Sequence, residues 1–152
     1  MAKVEKDYEE LLELFNRHKV KYCIVGAFAL GFHALPRYTK DMDIFVEASP
    51  ENAEKILSAL KEFGLEGLAI KKKDFSKPGK TIQLGYEPVR VDLLTSIDGC
   101  KFSSVWQNRK NGKYGKQTVS FIGANDLIKN KKATNRKQDQ VDLEILKKGK
   151  KR

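Results

Sequence analysis

The segment Asp41-Met-Asp-Ile-Phe-Val46 constrains this chain more than any other. Met42, Ile44 and Val46 alternate with Asp41, Asp43 and Phe45, which is the period of a strand whose two faces differ. One face is apolar and needs a core. The other carries two carboxylates one residue apart, so they project side by side. Like charges so placed repel each other and are poor for stability. A shared divalent cation removes that cost, and oxygen-only ligands suit Mg²⁺ or Mn²⁺.

A third carboxylate fits the same picture. Arg90-Val-Asp92-Leu-Leu94 alternates so that Asp92 faces opposite to Val91 and Leu93. If this strand pairs beside the first, Asp92 joins Asp41 and Asp43. Three carboxylates can hold two metal ions roughly 3.5–4 Å apart and clamp an in-line phosphoryl displacement. Asp92 is then suited to act as general base or as a ligand for the activated nucleophile. Acidic pairs also occur on solvated strand edges, but apolar strands carrying all three aspartates argue against that reading here.

The elements around these strands follow from patterning. Tyr8, Leu11, Leu12 and Phe15 form the stripe of an amphipathic helix, and residues 21–25 read as a buried strand stopped by Gly26. Residues 27–35 are small or apolar almost all round, as in a helix buried on most sides, and Pro36 ends it. Ser49, Pro50 and Gly64 cap, start and close a third helix. Residues 81–85 and 89–94 predict an antiparallel hairpin, and 102–108 a short helix. A strand at 118–122 and helices at 125–133 and 137–146 complete the series. This order is not a uniform βαβ repeat. It predicts an α/β (α+β) architecture with a mixed sheet and helices mainly on one face. A length of 152 residues predicts one domain over residues 1–146, with 147–152 as a frayed basic tail.

Gly26 has a second implication. It ends a strand and opens a helix, where free backbone N–H groups and the helix dipole favour a phosphate. Gly79-Lys80-Thr81 only echoes a phosphate loop, because Asp74 stands where that motif needs a glycine and a strand follows. Trp106 with Phe102 reads as aromatic packing of a short helix, and His33 as a satisfied core histidine.

Charge adds a direction. The chain carries +10 overall, but residues 1–76 sum to −1 and residues 77–152 to +11. An excess confined to one half is expected if one face or one end meets a polyanion, the other reading being solubility with a loose basic tail. Cys23 and Cys100 are far apart with no CxxC, which excludes a disulfide framework or zinc knuckle and fits a reducing cytosol. No apolar run approaches a membrane span and no signal peptide opens the chain, so a cytoplasmic protein without a membrane partner is expected.

The run Gly26-Ala27 … Asp41-Met-Asp43, followed by Asp92, resembles the signature of the DNA polymerase β-type nucleotidyltransferase superfamily. His33, Pro36-Arg37, Thr39 and Lys40 resemble the "HG-x-x-R-x-T-x-D-x-D" version found in small prokaryotic members related to abortive-infection-type toxins. Asp126-Leu-Ile-Lys-Asn-Lys131 … Arg136-Lys-Gln-Asp139-Gln-Val-Asp142 is similar to their closing segment. The resemblance implies a polymerase-β-like fold and metal-dependent transfer of a nucleotidyl group from an NTP, ATP among them. It implies Asp41, Asp43 and Asp92 as catalytic metal ligands for Mg²⁺ or Mn²⁺. Gly26, Ala27, Arg37, Thr39, Lys131 and Arg136 become nucleotide-binding positions. Ala27 stands where the family has Gly or Ser, so contact there falls to a backbone N–H. Asp139 and Asp142 read as structural partners of Arg136. RNA, and tRNA in particular, is the favoured acceptor, with a protein hydroxyl or a small molecule as further candidates, and a toxin role is one expectation. The alternative is an idle nucleotide- or nucleic-acid-binding module, or half of a two-gene toxin–antitoxin pair that meets a cognate partner protein.

Overall fold

The computed structural model describes residues 4–36, 39, 41–65 and 69–150. Seven helices are α1 (Lys6–Arg17), α2 (Gly26–His33), α3 (Pro50–Phe63), α4 (Lys73–Ser76), α5 (Phe102–Gln107), α6 (Ala124–Thr134) and α7 (Lys137–Lys150). Six strands are β1 (Tyr22–Val25), β2 (Asp41–Val46), β3 (Thr81–Tyr86), β4 (Val89–Leu94), β5 (Lys110–Tyr114) and β6 (Gln117–Phe121). They form one mixed sheet in the order β3-β4-β2-β1-β6-β5.

The centre of that sheet is its most apolar part. All four β1 residues are buried, as a strand covered on both faces requires. β1 pairs antiparallel with β2 on one side and parallel with β6 on the other. β2 in turn lies parallel to β4, and the outer hairpins β3–β4 and β5–β6 are antiparallel. Met42 and Ile44 are fully buried from one face of β2, while Phe45 on the other packs edge-on to Phe102 of α5 at 5.1 Å.

α1 buries the expected stripe of Tyr8, Leu11, Leu12 and Phe15 and packs on α3. The Ser49 hydroxyl caps α3 by accepting from Asn52 N at 3.1 Å, and Gly64 closes that helix at φ +102. Asn52 itself ties the start of β1 to the end of β2. Its Oδ1 accepts from Lys21 N at 2.8 Å, and its Nδ2 donates to the Lys21 and Glu47 carbonyls at 3.1 and 3.0 Å.

Four local features differ from the sequence reading. α2 is not buried on most sides: only Ala29 and Leu30 are, and Phe32 and Leu35 are exposed. β5 carries no alternating apolar signal, because it is an edge strand whose order comes from pairing with β6 across a two-residue turn at Gly115 (φ +59). α4 forms around the fully buried Phe75. α7 runs on through Lys150, with Gly149 close against Ala34 and the His33 carbonyl, so the first residues of the expected tail are helical. Among the described residues no helix is long and apolar enough to cross a membrane.

Removing the Asn52 amide takes their side-chain partner from the Lys21 N–H and the Glu47 carbonyl, while the Lys21 carbonyl keeps the Glu47 N–H at 3.2 Å. Asn52→Ala is expected to lower stability by about 2–4 kcal/mol, read as a shifted urea midpoint with an unchanged slope.

Candidate active site

The parallel pairing of β2 with β4 sets Asp43 directly opposite Asp92, and Asp41 opposite Arg90. One carboxylate oxygen from each of Asp41, Asp43 and Asp92 lies within 4.8 Å of the others. The three aspartates singled out in the sequence therefore converge. Burial, and then the charges of Asp41 and Asp92, push the Asp43 carboxyl up to about 6, against the lowering influence of Arg90 and Lys131.

Arg90 is not among the residues the sequence points to, yet among the described residues it is the cation that bonds to this cluster. Its Nε and Nη2 donate to the two oxygens of Asp92, each at 3.0 Å. Alternation could have revealed it, since Arg90 and Asp92 are two apart on one strand face. The Tyr8 hydroxyl fixes the Arg90 backbone, donating to its carbonyl at 3.0 Å and accepting from its N–H at 3.2 Å.

Gly26 opens α2 at φ +68, a conformation that favours glycine. The space above it is also taken: a Cβ there would sit 2.5 Å from Asp43 Oδ2. The turn and the carboxylates are thus in direct contact. A cleft of ≈ 310 Å³ opens beside them, lined by Gly26, Ala27, Thr39, Asp41, Asp43 and, across from these, Lys131 and Arg136. Thr39 Oγ1 donates to the Asp41 carbonyl at 3.0 Å and so holds the start of β2. Arg37 lies outside the described residues. Asp92 belongs to the cluster but does not line this cleft.

The far wall is an ion network. Lys131 is buried, with Nζ 3.3 Å from Asp139 Oδ1 and 2.9 Å from Asp142 Oδ2. Asp139 binds Arg136 as expected, through Nε at 2.8 Å and the backbone N–H at 3.0 Å, and also accepts from Thr134 Oγ1 at 2.5 Å. Burial raises the Asp139 carboxyl. Hydrogen bonds from Arg136 and Thr134, with the charge of Lys131, outweigh this and hold it well below the usual carboxylate range. Asp142 departs from the expected partner: it takes Lys131 and the Gln138 amide, the latter at 2.9 Å, because Lys131 is the cation that α6 turns inward. Arg136 remains largely exposed at the cleft, its side chain 72% accessible. His33 Nε2 lies 2.6 Å from the Ile122 carbonyl oxygen, the satisfied arrangement expected of it.

A mixed sheet whose strand–glycine–helix turn abuts clustered carboxylates is the architecture of a nucleotidyltransferase. The chain belongs to the family of nucleotidyl transferases of unknown function (DUF2204), whose model matches residues 4–152. Among solved structures, a crystal structure of the lincosamide antibiotic adenylyltransferase LnuA, lincomycin-bound, is similar in fold. The likeness covers 94% of this chain and 96% of that one, with a TM-score of 0.58 and 17% identity. No protein of curated function matches the sequence.

Two outcomes follow from the charges. Because the folded state holds the Asp43 proton more tightly than the unfolded chain does, the metal-free protein loses stability as pH rises from about 4 to about 6. Asp43→Asn is expected to be the more stable protein at pH 7 without divalent ions, the difference vanishing below about pH 4 in thermal melts. Adding Mn²⁺ should raise the melting temperature of the parent and not of the variant. Asp142→Ala leaves Lys131 with half its counter-charge and is expected to cost about 3 kcal/mol in urea denaturation.

Proposed function

We propose that this protein transfers a nucleotidyl group from an NTP to an acceptor hydroxyl, RNA being the favoured acceptor. The convergence of Asp41, Asp43 and Asp92 against the Gly26 turn is the observation that carries this reading. The donor set suits Mg²⁺ or Mn²⁺: all ligands are carboxylate oxygens, and burial together with the charges of Asp41 and Asp92 raises the Asp43 carboxyl, a cost that a shared cation would offset. Held by these three residues, the metal would neutralise charge that develops on the reacting phosphate.

The remaining roles belong to the chain. The Gly26 and Ala27 N–H groups at the start of α2 bind the triphosphate, where the helix dipole favours negative charge. Gly26 lacks the side chain that would displace Asp43. Arg136, oriented by Asp139, faces the same cleft and supplies a planar cation to the outgoing phosphates. Lys131 holds Asp139 and Asp142 in place along that wall. Asp92 takes the proton of the acceptor hydroxyl; the acceptor oxygen bonds to the α-phosphorus, and the bond to pyrophosphate breaks. Arg90, donating to both oxygens of Asp92, orients that carboxylate toward its partners.

Incubation with each α-labelled NTP, Mg²⁺ and total RNA tests the reading. The parent is expected to move label into the RNA fraction, and Asp92→Asn to slow this roughly a hundred- to ten-thousandfold. Transfer that survives in Asp43→Asn, or no transfer from any NTP to RNA, protein or small molecules of a lysate, would sink it.

A further inference from the structure

The positive charge of the second half has a definite place in the fold. A cleft of ≈ 470 Å³, larger than the one at the carboxylates, opens between the end of α5 and the start of α6. Arg109, Lys110 and Lys129 line it, together with Asn108 and Asp126. Among the described residues, no carboxylate forms an ion pair with any of these three cations. The one acidic group, Asp126, is buried in the first turn of α6, where the helix dipole favours it, and accepts from Asn108 Nδ2 at 3.3 Å.

Arg109 is held rigidly. Its Nη1 donates to the Trp106 carbonyl at 2.7 Å, and its guanidinium lies 3.7 Å from the centre of the Trp106 ring. Trp106 stacks on Phe102, and Phe102 packs on Phe45. The series Phe45, Phe102, Trp106, Arg109 thus rises from the strand face that also carries Asp41 and Asp43. One face of the guanidinium is covered by the indole, and Arg109 lines the cleft.

The cleft also stands at the reactive end of the sheet. Ile122 N donates to the Ile24 carbonyl at 3.0 Å, and Val25 pairs with Asp43. Gly123, in the cleft wall, therefore begins two strands over from Asp43, about 10 Å at the usual strand spacing.

We propose that this cleft binds a single-stranded polynucleotide as the acceptor, with a base stacked on Arg109 and backbone phosphates on Lys110 and Lys129. The proposal rests on the nucleotidyltransferase reading above. A planar cation flanked by two flexible point charges matches a base joined to phosphates. An acidic protein segment would meet the charges without using the plane, and a small neutral acceptor would use neither. RNA and DNA strands share this chemistry, and Gly123 of the cleft wall lies at the same end of the sheet as Asp43.

The test is fluorescence anisotropy with a labelled oligoribonucleotide and the matching oligodeoxyribonucleotide over a range of salt. Lys110→Ala/Lys129→Ala is expected to weaken binding at least about tenfold and to lower the salt slope by about 1.4, the value for two single-strand phosphates. Arg109→Lys keeps the charge and loses the plane, so affinity should fall at least about fivefold with the slope unchanged. Lys71→Ala/Lys73→Ala, removing equal charge from an exposed stretch elsewhere, should change affinity less than about twofold. Tighter binding of the ribo strand assigns the acceptor as RNA, and equal binding as either strand. No binding of either strand by the parent, or an equal loss in the Lys71/Lys73 variant, overturns the proposal. Mn²⁺-dependent NTP binding, titrated separately, should be unchanged in all three variants. Loss of NTP binding in the parent with strand binding intact would instead defeat the active-site reading alone.

Discussion

The in-register parallel pairing of β2 with β4 is the constraint on which the candidate site depends. It sets Asp43 across from Asp92, and strand alternation brings Asp41 to the same side. A sheet built for stability alone would not oppose two carboxylates there, because like charges in facing positions are destabilising. Arg90 relieves part of this by holding Asp92, leaving Asp43 as the residue on which the uncompensated charge falls. A one-residue slip between the two strands would send Asp92 to the opposite face and bring Val91 or Leu93 into its place. Met42, Ile44, Val91 and Leu93, the apolar neighbours of these aspartates, are all buried and make that slip costly. The same alternation that provides the core thus fixes the geometry of the charged cluster.

Much of this was legible in the sequence because both signals are local. Alternation within six residues identified β2 and its carboxylates, and a strand–Gly–helix pattern identified the turn at Gly26. Placing Asp92 beside them needed only that two apolar strands be neighbours. What escaped the sequence reading depends on partners distant in the chain. β5 has no apolar alternation and is ordered by its hydrogen bonds to β6. The resemblance marks Lys131 as a nucleotide-binding position, but its ion pairs with Asp139 and Asp142 form only when α7 folds back on α6. The composition of α2 predicts burial on most sides, but only Ala29 and Leu30 are buried and Phe32 is exposed beside Phe121.

Two kinds of basic residue emerge from the overall charge of +10. Lys131 is buried and paired with two aspartates, so its charge is largely compensated within the fold. Arg109, Lys110 and Lys129 stand in a cleft without acidic ion-pair partners among the described residues. Net charge cannot separate these cases. Arg136 is intermediate, paired through one edge with Asp139 and largely accessible through the rest.

The position of β1 bears on how the molecule is made. β1 and β2 come from the first third of the chain, but the other neighbour of β1 is β6, at Gln117–Phe121. As the chain leaves the ribosome, β1 carries an open apolar edge until β6, at Gln117–Phe121, has been synthesised. The β2–β4 pair can close earlier, so the carboxylate cluster can assemble on a sheet that is still half built. Long-range parallel pairing of this kind is slow, and the late arrival of β6 makes it the step during which the growing chain is most open to strand-edge association with its neighbours.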